Sequence, residues 1–418
     1  MLNNNKHDKI NNKISFNKLK DCVVTNKNVL LRVDINVPIA DNKIIDDTRI
    51  RAVVPTIEYL VQNKAKTIII AHFGRPEGQF NSKMSLSAIL PRLKELLPQY
   101  KINFIDDCFG DKVREAVENT NYGEIILLEN LRFYKGETKN DPEFTEFLAS
   151  LGNLYVNDAF SCSHRSHSSI TGIATKLKSC AGFLMGSELE NLNKIFNSND
   201  DRITAIVAGS KVSTKIDLLN SLSKKVKNII VGGAMANTFF YALGYNIGKS
   251  LCEKELKNTA LDIIDNCKKN NCNLVLPTDL VTTDNLSDQQ IIRNCEVKDL
   301  SMIDDNDIIA DIGFETIANI STILKNSNKV IWNGPVGAFE IKPFNNGSEM
   351  LARLIALLTK QGKIISIAGG GDVVAAVNGA GLFNQFSYIS TAGGAFLEWL
   401  EGKDLPGIVI LNNNHQKF

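Results

Sequence analysis

The 418-residue sequence predicts an α/β protein of two doubly wound, parallel-sheet domains joined by a hinge helix. Three observations carry that prediction. Short β-branched runs are followed at once by small or polar residues and then by a longer amphipathic stretch, and the alternation is sustained through both halves. The runs are apolar almost throughout, as suits a sheet covered on both faces. A single core usually stops growing at roughly 250–300 residues, so a chain of this length divides.

The strand-like runs of the first half are Val29–Val33, Thr67–Ala71, Ile102–Ile105, Glu124–Leu128 and Leu154–Val156. In the second half they are Thr204–Ala208, Asn228–Val231, Leu274–Leu276, Asp307–Asp311, Val330–Trp332 and Lys363–Ala368. Between them, Arg51–Asn63, Leu86–Leu97, Pro142–Leu151, Asp217–Lys224 and Ser348–Thr359 carry apolar residues at helical spacing. No sequence repeat links the halves, so each reads as a Rossmann-like layer structure of its own. The boundary falls after Gly182–Phe183. There Gly186-Ser187-Glu188 opens a helix to about Phe196, with Ser187 and Glu190 at capping-box spacing. A polar break over 197–201 follows and suits a hinge. The expected division is an Asn/Lys-rich, disordered extension over 1–14, a first domain over 15–184, a second over 185–400 that includes the interdomain helix 186–198, and a tail over 401–418. In that tail Ile408–Leu411 reads as a short strand that needs somewhere to dock.

Composition excludes several classes. Lysines and arginines balance acidic residues to a net charge of +1, so nothing global attracts nucleic acid or an anionic membrane. The 8 cysteines, at 22, 108, 162, 180, 252, 267, 272 and 295, form no CxxC pair, a poor zinc signal and the pattern of reduced cytosolic thiols. The first residues lack the apolar core of a secretory signal, and no apolar run approaches a membrane span. The expectation is a soluble, cytoplasmic protein.

In open α/β sheets ligands bind beyond the carboxyl ends of the strands. Strand one runs into Arg32-Val-Asp34-Ile-Asn36-Val-Pro38, placing Arg32, Asp34 and Asn36 on one face. The next strand ends bring His72-Phe-Gly74-Arg75-Pro76, then Glu129-Asn-Leu-Arg132, then Asn157-Asp158-Ala159-Phe160 with His164-Arg165-Ser166-His167, while Arg49 follows an Asp46-Asp47-Thr48 turn. Convergence of Arg49, Arg75, Arg132 and Arg165 at one sheet edge fits a small multiply charged anion, because guanidinium forks match phosphate and carboxylate oxygens. The bland alternative pairs each arginine with a carboxylate such as Asp34, Glu129 or Asp158. His164 and His167 near Cys162 are a weak metal signal, since no further ligand is evident and Arg165 between them opposes a cation.

The second half ends its strands in glycine. Ala208-Gly209-Ser-Lys211-Val-Ser-Thr-Lys215 opens a helix and sets two lysines at i, i+4 spacing. Gly232-Gly233, Gly334-Pro335-Val-Gly337, Gly369-Gly370-Gly371-Asp372 and Thr391-Ala-Gly393-Gly394 follow other runs. Glycines at helix N-termini let backbone N–H groups approach phosphate oxygens, and Asp372 is placed to hold Mg²⁺ against a nucleotide. Walker, dinucleotide and protein-kinase signatures are absent from the sequence.

From about Phe16 onward the chain resembles the phosphoglycerate kinase family. The motifs are RVDINVP at 32–38, HFGRP at 72–76, LLENLRF at 127–133, NDAFSCSHRSHSS at 157–169, AGSKVSTK at 208–215, VGGAMANTF at 231–239, LPTD at 276–279, DIGFET at 311–316, WNGPVGAFE at 332–340, GGGD at 369–372 and STAGGAFLEWLEG at 390–402. The resemblance implies reversible phosphoryl transfer between 1,3-bisphosphoglycerate and ADP, giving 3-phosphoglycerate and ATP, by a hinge-closing monomer whose C-terminal segment returns to the first domain. It implies that Asp34, Asn36, Arg49, His72, Arg75, Arg132 and Arg165 bind 3-phosphoglycerate. Nucleotide contacts fall to Gly209, Lys211, Lys215, Gly232, Gly233, Pro335, Glu340 at the ribose, and Gly369, Gly370, Gly371, Asp372 and Val373, with Asp372 as the magnesium ligand. Arg49, Lys211, Lys215, Gly371 and Gly394 are the expected catalytic set. Val373 stands where the family has threonine, removing a hydroxyl near the phosphates, and Phe314-Glu315 and Ala392 also depart from its pattern.

A substrate carboxylate is ionised at neutral pH, so the reaction needs alignment and charge relief but no general base. Acyl phosphates hydrolyse, so closure that excludes water suits it. Rival readings are a nucleotide-binding protein that has lost catalysis, an exposed interaction protein using its N-terminal extension, and a different small-molecule kinase.

Overall fold

The computed structural model describes residues 14–41, 43–196, 202–286 and 296–415. The chain divides into two compact units, Met1–Lys194 with Asp404–Phe418, and Ile195–Lys403.

The first unit is built on six parallel strands: β1 (Asn28–Val33), β2 (Lys66–Ile70), β3 (Ile102–Ile105), β4 (Ile125–Leu128), β5 (Leu154–Asp158) and β6 (Ser179–Ala181), in the order β3-β4-β2-β1-β5-β6. Successive side chains of β1 enter two different cores: Val29, Leu31 and Val33 join one cluster, and Leu30 joins another with Ile68, Ile70, Ile126 and Leu128. Both faces are therefore covered, which is why the runs are apolar without alternation. Strand order reverses at β1, which pairs with β2 on one side and β5 on the other. That is the switch point where such sheets open a crevice.

The second unit repeats the plan with β7 (Ile203–Ala208), β8 (Asn228–Gly232), β9 (Asn273–Val275), β13 (Lys329–Asn333), β14 (Ile365–Gly369) and β15 (Tyr388–Ser390), in the order β9-β8-β7-β13-β14-β15. Its switch point lies at β7, between β8 and β13. The intervening β10 (Asp279–Thr283), β11 (Glu296–Asp299) and β12 (Ile308–Ile312) form a separate antiparallel sheet with β10 at its centre. The run expected at Asp307–Asp311 is thus a strand, but it does not join the parallel sheet. Among the described residues no helix is long and apolar enough to cross a membrane.

Two local expectations are corrected. The boundary helix spans Phe183–Phe196 and begins before Ser187, which is no N-cap. Its free N–H groups are met by distant residues: Thr56 Oγ1 accepts from Phe183 at 3.0 Å, and Asp158 Oδ1 accepts from Met185 at 2.9 Å. The tail is helix Pro406–His415, with proline at a position that needs no N–H donor. Leu405, Ile408 and Leu411, three residues apart, are buried along one face. Asn414 donates to Ala174 O at 2.8 Å, fixing the helix in the first unit. The polar break at 197–201 and nearly all of the extension lie outside the described residues.

Asp158 makes a testable contribution to stability. Burial pushes its carboxyl up to about 6 from an ordinary 3.8, against the opposing hydrogen bonds of Thr56, Met185 and Leu184. The folded state then binds a proton that the unfolded chain has released, so the Asp158 contribution falls as pH rises from about 4 to about 6. Asp158→Asn is expected to abolish this part of the fall, read as the wild-type-minus-variant difference in thermal midpoint across that range.

Candidate active site

At the carboxyl edge of the first sheet, Arg49 Nη1 donates to Asp34 Oδ2 at 3.0 Å and to Asn36 O at 3.1 Å. Asp34 Oδ1 accepts from Asn36 N–H at 3.1 Å, and the Ser161 hydroxyl donates to Asp34 Oδ2. Asn36 Oδ1 accepts from Gly74 N–H at 2.9 Å, tying strand end one to strand end two. Arg132 donates through Nη1 to Gly74 O at 2.8 Å, while its buried Nε has no hydrogen-bond partner among the described residues. Burial, then the like charges of Arg165 and Arg32, bring the Arg132 guanidinium down to about 10.

Burial, followed by the charges of Arg32, Arg132, Arg165 and His167, holds His72 well below the usual histidine range. Arg32 Nη2 lies 3.0 Å from His72 Nδ1. A guanidinium can only donate, so Nδ1 accepts and the ring proton sits on Nε2, available to an anion. Arg32 itself is fully buried, bonded to Ser169 Oγ at 2.9 Å and to Val33 O, and braces the site from behind. Arg165 Nε donates to His164 Nε2 at 3.1 Å, and Arg75 is exposed.

These contacts bear on the two readings of the arginines. Among the described residues only Arg49 of the four has an ion pair. Glu129 is taken by Ser85 Oγ, Leu86 N–H and Asn130 N–H, and Asp158 by the helix end described above. Arg132, brought down by burial and then by Arg165 and Arg32, with buried Glu137 acting against them, is suited to an anionic guest. A cation fares worse here. Asp34, His72 and Cys162 offer ligand atoms within 4.8 Å of one another, but Arg49 and Arg32 already occupy the first two. His167 lies 3.6 Å from buried Glu137 and His164 faces Arg165, so the two histidines share no ligand point.

The second unit holds a cavity of about 300 Å³. Its apolar wall includes Leu251, Pro277, Leu280, Ile308, Val336 and Phe339, and its polar rim includes Gly209, Gly233, Glu340 and Asp372. Of the expected contacts, Gly209, Gly233, Pro335, Glu340 and Asp372 line it. Gly232 does not; it is the buried end of β8, where a Cβ would press on Val336 at 2.8 Å. Gly369 is likewise explained by packing, since a Cβ would meet Phe396 at 2.5 Å.

Gly371 and Gly394 differ. Each starts a helix, and an added Cβ would meet no protein atom within 4 Å. Packing among the described residues does not call for glycine at either position, and the open space leaves the N–H groups room for a phosphate. The first bond within helix Gly371–Gly379 runs from Val374 N–H to Gly370 O at 3.0 Å, so the N–H groups of Gly371, Asp372 and Val373 precede the helical ladder. The Val373 side chain is fully buried in the core and leaves only its backbone to a ligand.

Lys211 and Lys215 do not share a helical face. The segment between them is loop and turn, and helix Ile216–Ser223 starts only after Lys215. Lys211 is exposed, whereas Lys215 Nζ donates to Asn333 Oδ1, and Asn333 Nδ2 in turn donates to Gly369 O at 2.6 Å. Burial lowers the Lys215 ammonium, with Asp372 and Glu401 pulling it back.

Sequence reasoning missed three residues of these sites. Ser161 and Asn333 act through partners far away in the chain. Asp311 lines the cavity, accepts from Gly347 N–H at 2.6 Å, and is pushed up to about 7 by burial. Its position two residues before Gly313 at a strand end was the available signal for it.

Residues 19–403 match the family model described as phosphoglycerate kinase. The chain is 47% identical over 388 residues to a phosphoglycerate kinase of Zymomonas mobilis, covering 93% of this chain and 97% of that one. It is 48% identical over 388 residues to that of Agrobacterium fabrum, covering 93% and 96%. The structure of phosphoglycerate kinase from Coxiella burnetii superposes with a TM-score of 0.87 at 39% identity, covering 97% of this chain and 100% of that chain.

Proposed function

The chain belongs to the phosphoglycerate kinase family and transfers a phosphoryl group between 1,3-bisphosphoglycerate and ADP, giving 3-phosphoglycerate and ATP; from that premise we propose how its own residues carry the reaction. The observation that supports the assignment of roles is the contrast between the units. One gathers four arginines of which, among the described residues, only Arg49 has an ion pair. The other opens glycine-started helices beside an apolar cavity.

On the first unit Arg132, Arg165, Arg75 and the His72 Nε2–H bind the phosphate and carboxylate of 3-phosphoglycerate, and Asp34 and Asn36 orient it. Among the described residues Arg49 spends only Nη1 on protein, which keeps Nε and Nη2 for the moving phosphoryl group. On the second unit the apolar wall receives the base, Glu340 the ribose, and the N–H groups of Gly371–Val373 with Lys211 and Lys215 the phosphates. Asp372, an exposed carboxylate in the first turn of its helix, fits Mg²⁺, which favours one or two carboxylates together with substrate phosphates. The bound ion would supply neutralisation of phosphate charge. Lys215 and Arg49 then relieve charge on the transferred group, and the ionised substrate carboxylate attacks without a base.

A coupled assay of ADP formation from ATP and 3-phosphoglycerate tests the reaction, and no ADP above an enzyme-free control would refute it. The helix start gives a finer check. Gly371→Ala is expected to raise KM for Mg-ATP by about tenfold, one lost phosphate contact of roughly 1.4 kcal/mol, with the thermal midpoint unchanged or slightly raised. Gly334→Ala instead should fail to fold, because φ is +92° there and a Cβ would sit 1.8 Å from Ala208 O.

A further inference from the structure

Ser161 lies in the turn Phe160–Cys162 that follows β5. Its neighbours are buried anchors, Phe160 at 1% and Cys162 at 2% exposure. Asn157 Oδ1 accepts the Ala159 N–H at 3.0 Å, and the Cys162 N–H bonds back to Ala159 O at 2.9 Å. The turn is thus fixed on both sides of residue 161, and the hydroxyl between the anchors is delivered to Asp34 Oδ2.

That oxygen is the one Arg49 reaches. A carboxylate and a guanidinium left to themselves pair through two parallel hydrogen bonds, which would consume two of the three arginine nitrogens. Here the fork does not form. Asp34 Oδ1 is committed to the Asn36 N–H at 3.1 Å, and Oδ2 is shared between Ser161 and Arg49 Nη1. Both carboxylate oxygens are engaged, and the Asp34 side chain is 8% exposed, so little water competes for either. Arg49 keeps one bond to the carboxylate and spends the same nitrogen on Asn36 O at 3.1 Å. Its Nε and Nη2 have no protein hydrogen bond among the described residues.

We propose that Ser161 is a positioning residue for phosphoryl transfer: its hydroxyl pins the Asp34 carboxylate in the orientation that prevents a two-bond pair with Arg49, leaving that guanidinium available to the substrate. The inference rests on the role given to Arg49 above. Without the hydroxyl the carboxylate turns onto Arg49 and withdraws it.

Steady-state kinetics of Ser161→Ala, with Ser161→Thr and Arg49→Lys as companions, test this. Ser161→Ala is expected to lower kcat/KM for 3-phosphoglycerate by about tenfold, the scale of one hydrogen bond to a charged group, while KM for Mg-ATP stays within about twofold. The thermal midpoint should not move, and Ser161→Thr should restore kcat/KM to within about twofold, because it returns the hydroxyl. An ammonium cannot form the fork, so Ser161→Ala should cost nothing further in the Arg49→Lys background. Wild-type kcat/KM in Ser161→Ala, failure of the threonine to rescue, or an equal further loss in the Arg49→Lys background would each overturn the proposal. Wild-type turnover in Arg49→Ala is a different result, and it would remove the role of Arg49 itself.

Discussion

Arg49→Ala lowers turnover by about a thousandfold while the protein remains folded; this is the largest effect expected from a single side chain, on the scale of an arginine that stabilises a transferring phosphoryl group. The separation of effects follows from its contacts. Arg49 is about one-third exposed, and its one ion pair is with an Asp34 that keeps the Asn36 N–H and the Ser161 hydroxyl when the arginine is gone. Asp34 is nearly buried, but those two remaining donors keep its carboxylate hydrogen-bonded, so removal of the arginine costs little stability. The loss therefore falls on kcat, and the urea midpoint should hold. Turnover within tenfold of wild type would show that charge on the moving group is relieved elsewhere.

Lys215→Ala is the second large effect, expected to reduce kcat by about a hundredfold or more through loss of a cation at the phosphates. Here stability falls as well. Asn333 is buried, and its Oδ1 loses the donor that Lys215 supplied while Nδ2 stays bound to Gly369 O at 2.6 Å. An abandoned buried acceptor costs about 1–3 kcal/mol, so the denaturation midpoint should drop along with kcat. Joint measurement of both quantities checks the argument: a fall in kcat with no change in midpoint would mean that the Lys215–Asn333 bond does not brace the loop.

Most sheet strands were legible because they are buried on both faces and so declare themselves as apolar runs, as Leu30 and Leu31 do by entering opposite cores. The short edge strands Ser179–Ala181 and Tyr388–Ser390 went unread. Strand ends rich in arginine and glycine then pointed to the two candidate sites. Errors came where a long-range partner decides the local structure. The Phe183–Phe196 helix begins where Thr56 and Asp158 cap it, and neither lies near it in sequence. Ile308–Ile312 looks like any other strand of the parallel sheet until β10 pairs with it in antiparallel register. The run Ile408–Leu411 is too short to separate periods of 2 and 3.6, and packing against the first unit decides for the helix. Lys211 and Lys215 had helical spacing without a helix, because the turn at Val212–Lys215 comes first. Ser161 and Asn333 were invisible for a related reason: a lone serine or asparagine signals nothing until its partner is known.

The last helix also bears on how the polypeptide comes off the ribosome. Pro406–His415 packs on β6 and bonds to Ala174, so the first unit draws on segments from both sides of the second unit in sequence. Translation supplies every strand of its sheet early, yet withholds this helix until the whole of Ile195–Lys403 has been read. The unit begun first is thus completed only after the second, and a nascent chain stalled just before Asp404 would carry a finished second unit beside a first one still missing its closing helix.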